Sequence, residues 1–170
     1  HPVNRRQRQM CIRDRIQSGD AKGALELLKP HLKTEASKHA QSWLIAGGAM
    51  AKLDLEEHAI SAIEHAQKLD PGNPKGWFNL GTLKQRQGML KEASTCYSNA
   101  LREDPSYVKA AQKWAPLAME LKDPQAYLSA ATIIVAANPE SPIKIELATT
   151  LIELAAVSYT HLTLPTIDRV

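Results

Sequence analysis

The sequence predicts an all-α fold, a right-handed α-solenoid of antiparallel helix pairs with about eight helices. Three observations predict it. Identical residues recur at a spacing of 34: Trp43 and Trp77, Gly47 and Gly81, Ala59 and Ala93, Ala66 and Ala100, with Pro71, Pro105 and Pro139 carrying the spacing a step further. Each period holds two apolar segments of about 13 residues at helical spacing. Polar breaks such as Asp70-Pro71-Gly72-Asn73-Pro74 and Asp104-Pro105-Ser106 separate the segments, because Pro cannot continue a helical hydrogen-bond ladder and disfavours helix in the residue before it. No such unit can bury its apolar stripe alone, so neighbours must stack, each repeat touching only the next.

The two ends stand outside this pattern. Residues 1–14 and 157–170 are compatible, residue by residue from the outside inward, with one DNA sequence read in opposite directions. Met10 (ATG) mirrors His161 (CAT), Cys11 mirrors Thr160, Ile12 mirrors Tyr159, and Asp14 mirrors Val157. The match stops at Ile16 and Ala155, since no Ile codon is antisense to an Ala codon. The segments MCIRD and VSYTHLTLPT resemble translated sequencing-adapter DNA of the transposase-end type. Both ends are therefore expected to be non-native and disordered, and both true termini to be missing.

Between them, 15–156 reads in order as the second helix of a repeat (about 21–34), repeats at 40–73 and 74–107, a degenerate repeat at 108–141, and the first helix of a further repeat at 142–156. In the second full repeat, Trp77, Leu80, Gly81, Ala93, Tyr97, Ala100 and Pro105 fall at fixed offsets. The preceding unit supplies Trp43, Ala46, Gly47, Met50, Ala59, Ile63, Ala66 and Pro71. The degenerate unit keeps Pro139 but has Ala111 where Trp is expected, with Trp114 one turn on. Small residues let helices approach closely, which would account for Gly47, Gly48 and Gly81 despite about 1 kcal/mol each relative to Ala. Trp43, Trp77 and Tyr97 fill the gaps. These residues resemble the tetratricopeptide repeat family.

Composition excludes several functions. Of 21 Lys and Arg, four lie in the first fourteen residues and one in the last fourteen, and each end holds one of the 18 Asp and Glu. The interior is neutral, so the formal charge of +3 argues for neither nucleic acid nor membrane. Cys96 is the single cysteine left once Cys11 is set aside, which leaves no internal disulfide. The Ala46–Ala49 run AGGA lacks the preceding strand and the Lys-Ser pair of a phosphate loop. His31, His39, His58 and His65 read as solvated side chains, and His58 and His65 stand about 10 Å apart along one helix, too far to share a metal. No catalytic grouping, cofactor or metal is expected, and the chain is not expected to be an enzyme.

The resemblance implies that the first helix of each repeat lines a concave groove. The residues expected to bind a partner peptide there are Phe78, Asn79, Gln85, Arg86, Lys109, Gln112 and Lys113. Asn79, Lys109 and Lys113 match three slots of the carboxylate-clamp subclass, which grips a peptide C-terminus, while Leu44 and Gly48 depart from it. Pro116 is expected to kink its helix. The expected function is a protein–protein interaction scaffold with a protein or peptide partner, no nucleic acid, and no membrane span within the fragment. The alternative is the accessory region of a larger enzyme such as a bacterial glycosyltransferase or sulfotransferase. An apolar face around Ile145, Leu147, Leu151, Ile152 and Leu154 could drive artificial self-association. The compartment is open, with the bacterial cytoplasm slightly favoured.

Overall fold

A computed structural model describes residues 5–33 and 38–162, and all the described residues in regular structure are helical. Among the described residues nine helices follow in order: α1 (Arg5–Gln17), α2 (Ala21–Leu32), α3 (Ala40–Lys52), α4 (Glu56–Leu69), α5 (Pro74–Arg86), α6 (Leu90–Glu103), α7 (Val108–Glu120), α8 (Pro124–Ala137) and α9 (Ile143–Leu162). The chain divides into two compact units, 1–104 with α1 to α6 and 105–170 with α7 to α9. In the first, consecutive helices pack against each other, most extensively α3 on α4 and α5 on α6. In the second, α8 packs on both α7 and α9.

The 34-residue period reappears in the backbone. Helices α3, α5 and α7 end at Asp54 (φ +57°), Gly88 (φ +74°) and Lys122 (φ +55°), each in the left-handed region and each 34 residues from the next. At every one of these ends the following N–H bonds back five residues: Leu55 to Met50, Met89 to Lys84 and Asp123 to Ala118, all 2.9–3.0 Å. This is a Schellman turn, which satisfies carbonyls that the helix end would otherwise orphan. Gly19 (φ +93°) ends α1 in the same way. Helices α4, α6 and α8 stop instead at Asp70, Asp104 and Asn138, all extended, each just before a Pro, as sterics before Pro require. Among the described residues three helix starts are capped by side chains, α2 by Asp20, whose Oδ1 accepts from the Gly23 N–H at 2.9 Å, α5 by Asn73 and α8 by Asp123, the last two with Pro in the first turn.

Small residues sit at the helix crossings. A Cβ on Gly47 would lie 2.5 Å from Ile63 Cγ1, and one on Gly81 would lie 2.8 Å from Tyr97 Cε1. Gly48 is different: a Cβ there would meet nothing within 4 Å, so close packing does not account for it. Around these crossings Leu44, Ala59, Ile63, Ala66, Leu80, Leu83 and Cys96 form one buried cluster flanked by Trp43 and Trp77. A second cluster joins Ile12, Ala24, Leu25, Leu28, Ile45 and Ala46.

That second cluster corrects the expectation that the N-terminal end is disordered. Residues 5–14 lie in α1, and Ile12 is 4% exposed. Arg and Gln are good helix formers, and Ile12 and Ile16, one turn apart, supply an apolar edge that docks on the cluster. Residues 157–162, strand-like by composition, continue α9. The ninth helix is therefore α1. Residues 1–4 and 163–170 lie outside the described residues. On α9, Ile145, Leu151 and Ile152 are exposed while Leu147 and Leu154 are half-buried.

Candidate peptide-binding faces

The seven residues picked from the sequence fall on two helices, one in each unit. On α5, Phe78 and Asn79 are half-buried, and the Phe78 ring lies 6.0 Å from that of Tyr97, tilted by 45°. Tyr97 is fully buried. Its hydroxyl donates to Gln85 Oε1 at 2.8 Å, and burial raises its pKa above the ordinary tyrosine value. Gln85 thus satisfies the one polar atom of a core aromatic.

Arg86 is also engaged within the unit. It contacts Asp54 Oδ1 and Glu56 Oε1, both at 2.9 Å, and donates to the Ala51 carbonyl at 3.3 Å. One period earlier, Lys52 Nζ donates to the Ile16 carbonyl at 2.6 Å. Both carbonyls belong to the last turn of the preceding odd-numbered helix, where a cation complements the helix dipole. A basic residue at this repeat position therefore tethers one repeat to the helix end of the repeat before it. Sequence reasoning missed this role, although the spacing of Lys52 and Arg86 carried the signal.

On α7 the buried face is Ala110, Ala111, Trp114, Ala115, Leu117 and Ala118. Lys109, Gln112, Lys113, Pro116 and Met119 form the opposite, exposed stripe, at spacings of three and four that keep them on one helix face. Among the described residues, neither Lys109 nor Lys113 makes an ion pair. Helix α7 runs unbroken from Val108 to Glu120 through Pro116. Pro116 has no N–H, so the Gln112 carbonyl receives no helical hydrogen bond.

Other groups singled out in the sequence have structural settings. His65 is exposed, with its ring 4.6 Å from Trp43 in an edge-on arrangement, and His58 is exposed. His39, expected to be solvated, is half-buried at the start of α3, and its Nε2 has no hydrogen-bond partner among the described residues. Burial, as the largest cause, pushes the Cys96 thiol up to about 11, which makes it a poor nucleophile at neutral pH. Among the described residues no three His, Cys, Asp or Glu side chains converge to hold a metal ion. No described helix is long and apolar enough to cross a membrane.

Residues 74–107 match the tetratricopeptide repeat family model. This segment is a tetratricopeptide repeat. A thermophilic tetratricopeptide-repeat protein of Thermus thermophilus superposes on 89% of this chain and 84% of its own with a TM-score of 0.71 at 15% identity, so the fold is that of a tetratricopeptide-repeat solenoid. Two curated relatives match over shorter stretches. Protein adenylyltransferase fic-1 of Caenorhabditis briggsae is 37% identical over 54 residues, covering 32% of this chain and 11% of the relative. The probable UDP-N-acetylglucosamine–peptide N-acetylglucosaminyltransferase SPINDLY of Solanum lycopersicum is 33% identical over 76 residues, covering 45% and 8%. The chain thus spans about a tenth of the length of either.

Proposed function

We propose that this chain is an interaction scaffold whose exposed odd-helix faces bind a peptide segment of a partner protein. The observation that carries the reading is the α7 stripe. Lys109 and Lys113 are one turn apart, exposed and without an ion pair among the described residues. Like charges at this spacing oppose each other by a few tenths of a kcal/mol, a cost that a bound anionic group reverses. Two ammonium groups beside the Gln112 amide suit a carboxylate, which accepts charge-assisted hydrogen bonds. In the first unit, Phe78 separately offers a half-buried apolar surface on α5. Gln85 and Arg86 serve in this reading to hold the scaffold.

The test is fluorescence anisotropy with paired peptides, one with a free C-terminal carboxylate and one amidated. Substituting Lys109→Ala together with Lys113→Ala is expected to weaken the free peptide about tenfold or more and the amidated one little. Equal losses for both peptides would remove the carboxylate from the reading.

A second reading has its own support. Both curated relatives carry enzyme names and extend far beyond the matched stretch, which supports reading the chain as the accessory repeats of a larger enzyme. The complete reading frame decides: a catalytic domain encoded beyond Ala156 selects it.

A further inference from the structure

We propose that the exposed face of α9 seats a helix supplied by another protein, one presenting small side chains (Ala, Ser or Gly) at positions i, i+3, i+4 and i+7. The inference does not depend on the lysine stripe of α7.

Helix α9 holds the place in the period that α3, α5 and α7 hold before it. It packs on α8, and Ile143, Leu147 and Leu154 are half-buried at a spacing that puts them on one side. Ile145 and Ile152 point the other way, 75% and 70% exposed. Leu151 is 51% exposed, although Ala49, Leu83 and Leu117, its equivalents at steps of 34, are 0%, 3% and 1% exposed. In those earlier repeats the following helix, α4, α6 or α8, packs on the odd helix. The chain turns back for it at Asp54, Gly88 and Lys122. The next position in that series is Ala156, and α9 runs through it to Leu162. Among the described residues the chain therefore supplies no cover where the repeats supply theirs, and an apolar face is left for another molecule.

The three complete pairs show which helix fits. Ile63 lies where a Cβ on Gly47 would go, and Tyr97 where one on Gly81 would go. At the same two positions one period on, both residues are small, Ala115 and Ala131. The outer positions follow suit. Where α3 and α5 carry Trp43 and Trp77, α4 and α6 carry Ala66 and Ala100; where α7 carries Ala111, α8 carries Ile134. Bulk on one helix goes with a small residue on the other, as interdigitation at interior density requires. Helix α9 places Ile145 and Ile152 at the outer positions and Thr149 at the central one. The Thr149 hydroxyl donates to the Ile145 carbonyl at 3.1 Å, so its side chain fills space that Gly47 and Gly81 leave open. The fitting helix is small at all four positions. A second copy of α9 is a poor match, because an antiparallel pair sets Ile145 against Ile152 at both ends and holds the centres apart.

The experiment titrates the whole chain into labelled helical peptides and reads anisotropy. One peptide has the sequence of residues 55–70, the second is the same with Ile63→Ala, and the third has residues 123–138, which present Tyr127 and Ile134. The Ile63→Ala peptide is expected to bind about tenfold more tightly than either of the others. Thr149→Gly is expected to reverse the order of the first two, and Thr149→Ala, which keeps helix propensity, to narrow the gap. Ile152→Asp, at an exposed position, is expected to abolish binding, while Lys109→Ala with Lys113→Ala leaves it unchanged. Equal affinities for the three peptides, or binding that survives Ile152→Asp, would overturn the proposal. So would sedimentation velocity showing a dimer that Ile152→Asp returns to monomer, since the occupant would then be a second copy.

Discussion

Glycine shows how one residue type carries three meanings along this chain. Gly47 and Gly81 are crossing residues, with Ile63 and Tyr97 lying where a Cβ would go. Gly88 is a turn residue, needed for its positive φ. Gly48 is neither, because open space surrounds it inside α3. Differential scanning calorimetry should separate them. Gly47→Ala and Gly81→Ala are expected to lose roughly 1 to 3 kcal/mol through overpacking, whereas Gly48→Ala should gain about 0.5–1 kcal/mol from helix propensity. A loss at Gly48 would mean that this position serves the scaffold in a way its surroundings do not reveal. The crossing glycines were legible in the sequence because they recur with the period. The difference between Gly47 and Gly48 was not, since adjacent helix positions differ by about 100° of rotation and only the partner helix says which one it meets.

At the scale of the element, the turns ending α3, α5 and α7 share one backbone geometry but not one residue. Asp54, Gly88 and Lys122 all hold φ near +55° to +74°, and of the three only Gly does so without a steric cost. Lys122→Gly is therefore expected to stabilise the second unit by about 0.5–1 kcal/mol, the relief of strain less the added backbone entropy. Urea midpoints with an unchanged m-value would show it, and a destabilised variant would contradict the turn geometry. The even helices end by another device, an extended residue before Pro, and this was readable directly from Asp-Pro and Asn-Pro. Helix α1 was not readable. Its sequence is mostly Arg and Gln, and Ile12 and Ile16 became significant only through the cluster they join. A DNA-level symmetry bears on where residues come from and leaves open what the chain does with them.

Across the whole molecule, the repeats of the first unit are joined by cores and by charged ties that follow the same period. Lys52 reaches the end of α1, and Arg86 reaches the end of α3 together with Asp54 and Glu56. One period on, the residue is Glu120, which has no proton to donate to a carbonyl. Because these ties are partly exposed, Arg86→Ala is expected to cost only about 0.5–1.5 kcal/mol, and less at high salt. Chemical denaturation at two salt concentrations would measure this, and a salt-independent loss would point to packing by the Arg stem instead. The same comparison explains why the candidate binding surface was half legible. Lys109, Gln112 and Lys113 were assigned to one face by the family resemblance, and the structure has all three exposed. Gln85 and Arg86 had the same polar, groove-directed signature, yet they are engaged by Tyr97, Asp54 and Glu56. The sequence by itself determined the helix pairs, their stops and the crossing positions, because these follow from local sterics and a recurring pattern of side-chain size. The tertiary structure alone decided which polar side chains are used internally and which are left exposed, because a long charged side chain finds its counterpart through space rather than along the chain.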